Sequence, residues 1–400
     1  MTKHRRGGLP PSSKNSVRTQ LTSPGPRDIF LFMKNKLFPF LISVLFLPLF
    51  SPAAGSGAAD TQGSILQRWT FSAEALGFGR VGTAKYTLVE RVPGAVLFRM
   101  IPLTPGTPAL NSTDLKQDFS PGFGLGAIYH VNSNREVSLS FFRIADWDSI
   151  RSIGPDNPLD WLVMRAPGGF FQTQDFTYQS MTWDYSTDLY SAEISVQNKI
   201  FNRITLLAGF RWLRLHENLQ GTIPPADLIQ PLWKNNPLAD LAYVAWYERQ
   251  PGGIPASEYP PFWVTRTVNN LYGFQIGADA GIFQRGRFSL NGLIKLGGYW
   301  NHASESSGVS IAKVVYQSGD SIDRAAFVCE AGLQCKYQVA GSIKLKLGYQ
   351  GLWLYGVALA PGQIEEIYSA FGPTGVHARG VKSDSNVFFH GVSAALEYSF

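Results

Sequence analysis

Nine polar residues sit at alternate positions of otherwise apolar stretches: Glu193, Arg211, Asp279, Lys295, Glu330, Lys336, Lys344, Lys346 and Gln350. A repeat of two is the period of an extended strand, whose side chains alternate between faces. Collected on one face of neighbouring strands, such mixed-sign groups can border a column of water or pair with one another. Glu330 and Lys346 are expected to lie nearly opposite on hairpin neighbours and to form such a pair. The energetic reason for a shared face is strong. On a lipid-facing position a lysine costs about 2–4 kcal/mol at the bilayer midplane, so Lys344 and Lys346 belong inside, with Leu345 and Leu347 outside.

Covalent chemistry is poorly represented. Gly77-Phe78-Gly79-Arg80-Val81-Gly82 matches a dinucleotide-binding pattern letter by letter, but it opens no helix and is not part of a strand–helix–strand unit. There is no phosphate-cradling loop, no paired-histidine zinc motif and no nucleophile elbow. His216, His302 and His377, with Asp146, Asp148, Asp184, Glu217 or Glu305 nearby, are the residues from which a catalytic or metal site could be built. Their scatter predicts neither. No cofactor and no metal is expected, and the chain reads as a non-enzyme. Cys329 and Cys335, six residues apart on one strand, are too distant to bond to each other and read as small outward or packing residues.

The formal charge of +6 would suggest a nucleic-acid partner until the charges are placed. Residues 1–59 carry eight of the 35 basic residues and one of the 29 acidic ones, leaving 27 basic and 28 acidic in the body. The excess belongs to a segment that is expected to be removed, so it gives no support to a nucleic-acid role. Within that segment, residues 1–32 read as a dubious or disordered extension. Residues 33–59 read as a secretory signal peptide: Met33-Lys34-Asn35-Lys36, then apolar Leu37–Phe50, then a small-residue stretch. Residues 60–400 form the body.

The body alternates apolar and polar residues in ten stretches. They lie at 65–79, 123–129, 137–147, 187–197, 203–213, 268–284, 288–301, 327–337, 341–355 and 388–400. Their links alternate in length. Short ones fall near Val131–Arg135, Asn198–Arg203, Gln284–Arg287 and Gln338–Gly341, and long ones at 80–121, 148–182, 217–267, 303–322 and 356–385. Tight turns at one end and long loops at the other describe a transmembrane antiparallel up-and-down β-barrel of the bacterial outer membrane. The final strand ends on Phe400. Aromatics gather at strand ends, with Phe201, Phe283, Phe288, Tyr337, Tyr398 and Phe400 at the short-turn side. Trp147, Trp183, Tyr185, Trp212, Tyr272, Trp300, Trp353 and Tyr355 gather at the other. Two such girdles mark two membrane interfaces. Short helices are expected at Leu238–Arg249 and Pro361–Ala370 in the long loops, from their Pro and Gly punctuation. A barrel of ten strands encloses little more than the side-chain-filled interior of eight, so the sequence leaves an open narrow pore and a plugged polar core both possible.

Three segments carry a family resemblance: Asn269–Asp279, Gly298–Ala303 and Gly348–Ile364. The last contains Trp353-Leu354, Val357-Ala358-Leu359-Ala360-Pro361 and Gln363-Ile364. Together they resemble a family of planctomycete outer-membrane β-barrel porins, well over about 266–400 and loosely before. The resemblance implies an outer-membrane barrel and transfers no catalytic residues. The expected function is porin-like passage or binding of small hydrophilic solutes. The alternatives are a surface adhesin or structural barrel, and an outer-membrane hydrolase with a rim active site. Expected partners are outer-membrane lipid, small hydrophilic solutes, and the barrel assembly machinery acting on the strand that ends at Phe400.

Overall fold

The computed structural model describes residues 68–81, 85–93, 107–154, 160–164, 180–201, 203–222, 262–311, 314–365, 367–369, 376–378 and 380–400. The chain divides into two units, Met1–Ser64 and Ile65–Phe400, and all described residues belong to the second. The expected signal peptide and the expected helix Leu238–Arg249 lie outside them.

Ten long strands close into one antiparallel barrel. They are β1 (Trp69–Val81), β4 (Ser120–His130), β5 (Arg135–Ile153), β7 (Met181–Phe201) and β8 (Ile204–Thr222), and then β9 (Phe262–Arg285), β10 (Phe288–Ile311), β11 (Val314–Ala340), β12 (Ile343–Val357) and β15 (Ser385–Ser399). Each pairs with the next, and β15 returns to β1 in register from Thr70 opposite Ser399 to Val81 opposite Phe388. Closure leaves no unpaired edge within the ring. Five short strands lie in the long links. β2 (Thr87–Pro93) pairs with both β3 (Thr107–Asn111) and β6 (Asp160–Met164), and β13 (Ile367–Ser369) pairs with β14 (Val376–Ala378).

The ten strands are those expected, but many run further toward the long-loop end. The largest correction concerns 303–322, expected as a loop. β10 and β11 stay paired through Ile311 opposite Val314, so this stretch is a strand ribbon. Its serines and acids read as loop because few apolar residues mark either face of the ribbon, even where Glu305 and Ser307 are buried. The expected helix at Pro361–Ala370 is likewise corrected: a 3-10 turn spans Ala360–Glu365 and leads into β13.

Alternation holds around the ring. Phe71, Phe123, Leu125, Leu139, Phe274, Ile276, Ile294, Leu296, Leu333, Leu345, Leu347, Val392 and Leu396 are exposed on the outer face. The short-turn girdle residues Phe201, Phe283, Phe288, Tyr337, Tyr398 and Phe400 are exposed too. At the other end Trp300, Trp353 and Tyr355 also face outward. Trp147, Trp183 and Tyr185 do not: all three are buried inside the barrel. For Trp147 the cause is a bulge between Ile144 and Trp147, which inserts an extra residue and reverses the face of the residues beyond it.

Candidate functional site

The inner face is layered from the short-turn end upward. The lowest layer is polar. Lys346 forms an ion pair with Glu397 on β15, Asn291 donates to Asp279 over 2.6 Å, and Thr70 and Ser399 share a hydroxyl contact of 2.8 Å. Lys336, Lys344 and Gln350 share this inner face. The expected pair Glu330–Lys346 is not formed. The register sets Lys336 against Lys346 and Glu330 against Leu352, so Glu330 lies too far along β11 to reach.

Glu330 belongs instead to a middle layer of four charges. Arg211 Nη1 donates to Glu330 over 2.5 Å and Arg211 Nε donates to Ser191 Oγ over 2.9 Å. Lys295 Nζ lies 2.9 Å from Glu193 and 3.6 Å from Glu330. The residues come from β7, β8, β10 and β11, and reach one another across β9. The backbone explains how. On β9 the inward position beside Lys295 is Gly277, where an added Cβ would sit 3.0 Å from Lys295 Cγ. At Gly273 it would sit 2.5 Å from the ring of Tyr299. Two plus and two minus charges cancel, and Arg211 is 1% exposed. Buried charges of this kind persist only when paired and hydrogen-bonded.

Above the charges the interior turns apolar. Leu76, Phe78, Ile144, Leu213, Leu352, Leu354 and Phe389 form part of one buried cluster. Trp147 packs its ring 5.2 Å from that of Phe389 and donates from Nε1 to the Phe78 carbonyl over 2.7 Å. This layer leaves apolar side chains on both faces of β1, β8 and β12.

The mouth is then filled by the chain itself. One residue before the end of β12 stands Gly356, whose φ of 83 turns the backbone inward. Residues 356–363 are all buried. Asn269 on β9 donates to the Ala358 carbonyl and accepts from the Ala358 amide, each over 2.7 Å. Asn301 on β10 donates to Asn269 over 3.0 Å and to the Gly356 carbonyl over 2.9 Å. Glu217 accepts the Ala360 amide over 2.8 Å and forms a buried ion pair with Arg80. Arg80 also donates to Gln117 over 2.9 Å, and Gln117 donates to the carbonyls of Trp147 and Tyr185. Gln363 closes the segment against the Lys382 backbone, donating over 2.7 Å and accepting over 3.0 Å.

The strand registers put Glu193, Arg211, Asp279, Lys295, Glu330, Lys336, Lys344, Lys346 and Gln350 on one face of the sheet, the inner one. Of the histidines and acids considered for a rim site, the side chains of His377 and Asp146 lie outside the described ones, and the structure places two histidines and two acids as follows. His216 and His302 face outward, 3.6 Å from Asp188 and 2.7 Å from Asp323. Glu217 and Glu305 face inward and are buried. Among the described residues no group of three His, Cys, Asp or Glu is placed to hold a metal. Cys329 and Cys335 are free thiols on the outward positions of β11.

No family model matches the chain, and no curated protein does. Among solved structures it is similar to the outer membrane protease OmpT from Escherichia coli, at 10% identity and TM-score 0.44 over 86% of this chain and 100% of that one. It is also similar to the translocator domain of autotransporter NalP from Neisseria meningitidis, at 8% identity and TM-score 0.35 over 85% and 90%. A third likeness is to the P. putida toluene transporter TodX, at 10% identity and TM-score 0.28 over 83% and 89%. At these scores the likenesses carry no argument about what the present chain does.

Proposed function

We propose that the chain is an integral outer-membrane β-barrel, closed across its mouth, that serves as a rigid scaffold presenting its long-loop end for binding. Placement in a membrane is supported by the outer face. Its apolar side chains wrap the ring, whereas soluble proteins rarely leave contiguous apolar patches beyond a few hundred Å². On β10 the outward apolar run extends from Phe288 to Trp300. At about 3.4 Å per residue and a tilt near 40° that run is roughly 30 Å tall, the order of a bilayer core. The resemblance to planctomycete porins supports the same placement.

The observation that carries the closed reading is the burial of residues 356–363 inside the ring, above a layer of packed apolar side chains. A surface adhesin or structural barrel can work with such a filled interior, whereas a passage cannot. Porin-like passage of small hydrophilic solutes is the second reading. It is favoured by the polar lower layer around Lys336, Lys344 and Lys346, and it requires the plug and the apolar layer to move. Neither reading involves covalent chemistry, given the separation of His216 and His302 from Glu217 and Glu305. Reconstitution in planar bilayers tests the choice: a silent barrel supports the scaffold, and steady currents support passage.

A further inference from the structure

The outer face carries a second group of residues that the closed interior does not use. Arg143 on β5, Tyr190 on β7 and Arg214 on β8 stand in one cross-strand row, Arg143 opposite Tyr190 and Tyr190 opposite Arg214. All three point outward and are half-buried. The Arg143 guanidinium lies 5.2 Å above the Tyr190 ring.

This row is where the apolar outer face stops. On β5 it comes after Val137, Leu139 and Phe141, and on β8 after Leu206, Ala208, Phe210 and Trp212. On β7 the residues on its membrane side are Ala192, Ile194 and Val196. The two arginines are therefore held at the level where acyl chains give way to headgroups. Neither forms an ion pair with a carboxylate among the described residues, and the Nε of each lacks a hydrogen-bond partner. Among the described side chains, the outward acid Asp188 stands one position further out on β7 and faces His216 at 3.6 Å. Two strand spacings separate the arginines by about 10 Å, which their long side chains can close around one anionic group, with the Tyr190 hydroxyl between them. Guanidinium is the group best matched to phosphate oxygens.

We propose that Arg143, Tyr190 and Arg214 bind the phosphate-bearing headgroup of an outer-leaflet lipid. The site rests on the membrane placement proposed above. It explains why two arginines tolerate an outward position at the edge of the apolar band: the lipid supplies a counter-charge with which no described carboxylate pairs them.

The test uses the barrel refolded in phosphatidylcholine vesicles, with folding confirmed by heat-modifiable gel mobility. Quenching of tryptophan fluorescence by dibrominated phosphatidic acid is compared with quenching by dibrominated phosphatidylcholine. Trp212, two residues from Arg214 on the same face, is a built-in reporter. The expected result is preferential binding of phosphatidic acid, reduced on the order of tenfold in Arg143→Gln/Arg214→Gln, given about 1 kcal/mol per basic residue near an anionic surface. Arg135→Gln, at the short-turn end, keeps the preference. If the double variant does not refold, Arg214→Gln alone is expected to lose a few-fold. Equal quenching by both lipids in the wild type overturns the site, as does an equal loss in Arg135→Gln. Abolition of the preference by millimolar inorganic phosphate overturns it in favour of a soluble-anion site. A chain that enters no vesicle overturns the membrane placement, and the site with it.

Discussion

Asn269 holds both backbone polar groups of Ala358: the side-chain amide donates to the carbonyl and its oxygen accepts from the N–H, each over 2.7 Å. One side chain on the barrel wall thus replaces the strand partner that the inward-turning chain has lost. Both groups are buried, so removing the amide strands two backbone dipoles away from water. Asn269→Ala is expected to destabilise the barrel by roughly 2–4 kcal/mol and to speed protease cleavage within residues 356–363. Urea unfolding in detergent micelles and limited proteolysis check this. Unchanged cleavage would show that the plug does not depend on this clamp.

Arg80 and Glu217 form the ion pair beneath the plug, almost wholly buried. Breaking a buried pair by removing one partner typically costs about 3–5 kcal/mol, whereas replacing both by apolar groups costs far less. Glu217→Leu is therefore expected to be more damaging than Arg80→Leu/Glu217→Leu. Unfolding midpoints of the two single variants and the double variant check the order. Additive losses would show that the two charges are not coupled.

Gly356 takes a φ of 83, and a Cβ there would lie 2.8 Å from the Ala325 carbonyl oxygen. Gly356→Ala combines an unfavourable backbone conformation with a backbone clash, and is expected to cost more than about 1 kcal/mol. Gly341, with nothing within 4 Å of an added Cβ, is the matched control. Equal thermal midpoints for Gly356→Ala and Gly341→Ala would contradict the inward turn.

Lys344 faces in and Leu345 faces out. With Cys329 and Cys335 first replaced by serine, Lys344→Cys is expected to react with a water-soluble thiol reagent in the reconstituted barrel. Leu345→Cys is expected to be protected by lipid. Mass labelling in vesicles reads the difference, and the opposite pattern would mean a register shifted by one residue.

The strands and their faces are legible because alternation with period two is written directly into residues such as Ile343–Leu347 and Ala394–Phe400. The lysines on β12 can take only one face, given the cost of the other. Partners within the interior are not legible. Lys295 stands directly opposite Glu330 on the neighbouring strand, but Glu330 pairs with Arg211, and Lys295 with Glu193, because a three-strand reach is opened by Gly273 and Gly277, and strand pattern does not specify reach. The ribbon at 303–322 reads as a loop because polar strands outside an apolar band lose their alternation. One signal of closure is present in the residues. Leu352 and Leu354 on β12 put apolar side chains on the inner face just where Trp353 and Tyr355 make the outer face apolar too, and Leu213 and Leu215 on β8 do so at and just beyond the edge of the outer apolar band. A water-filled interior has no use for them. The segment Val357–Gln363 stands out by its composition, but the wall residues that hold it, Asn269, Asn301 and Glu217, come from distant strands and carry no local mark.

In the proposed closed reading the ring is sealed twice, by the buried residues 356–363 and by the apolar layer beneath them. The most direct test is single-channel recording of the refolded barrel in planar bilayers, alongside a variant in which Ala358–Gln363 is replaced by a Gly/Ser linker. No stepwise current is expected from the wild type at low voltage, and none from the linker variant, because Phe78, Leu213, Leu352, Leu354 and Phe389 still close the interior. Steady unitary conductance in the wild type would contradict the double seal.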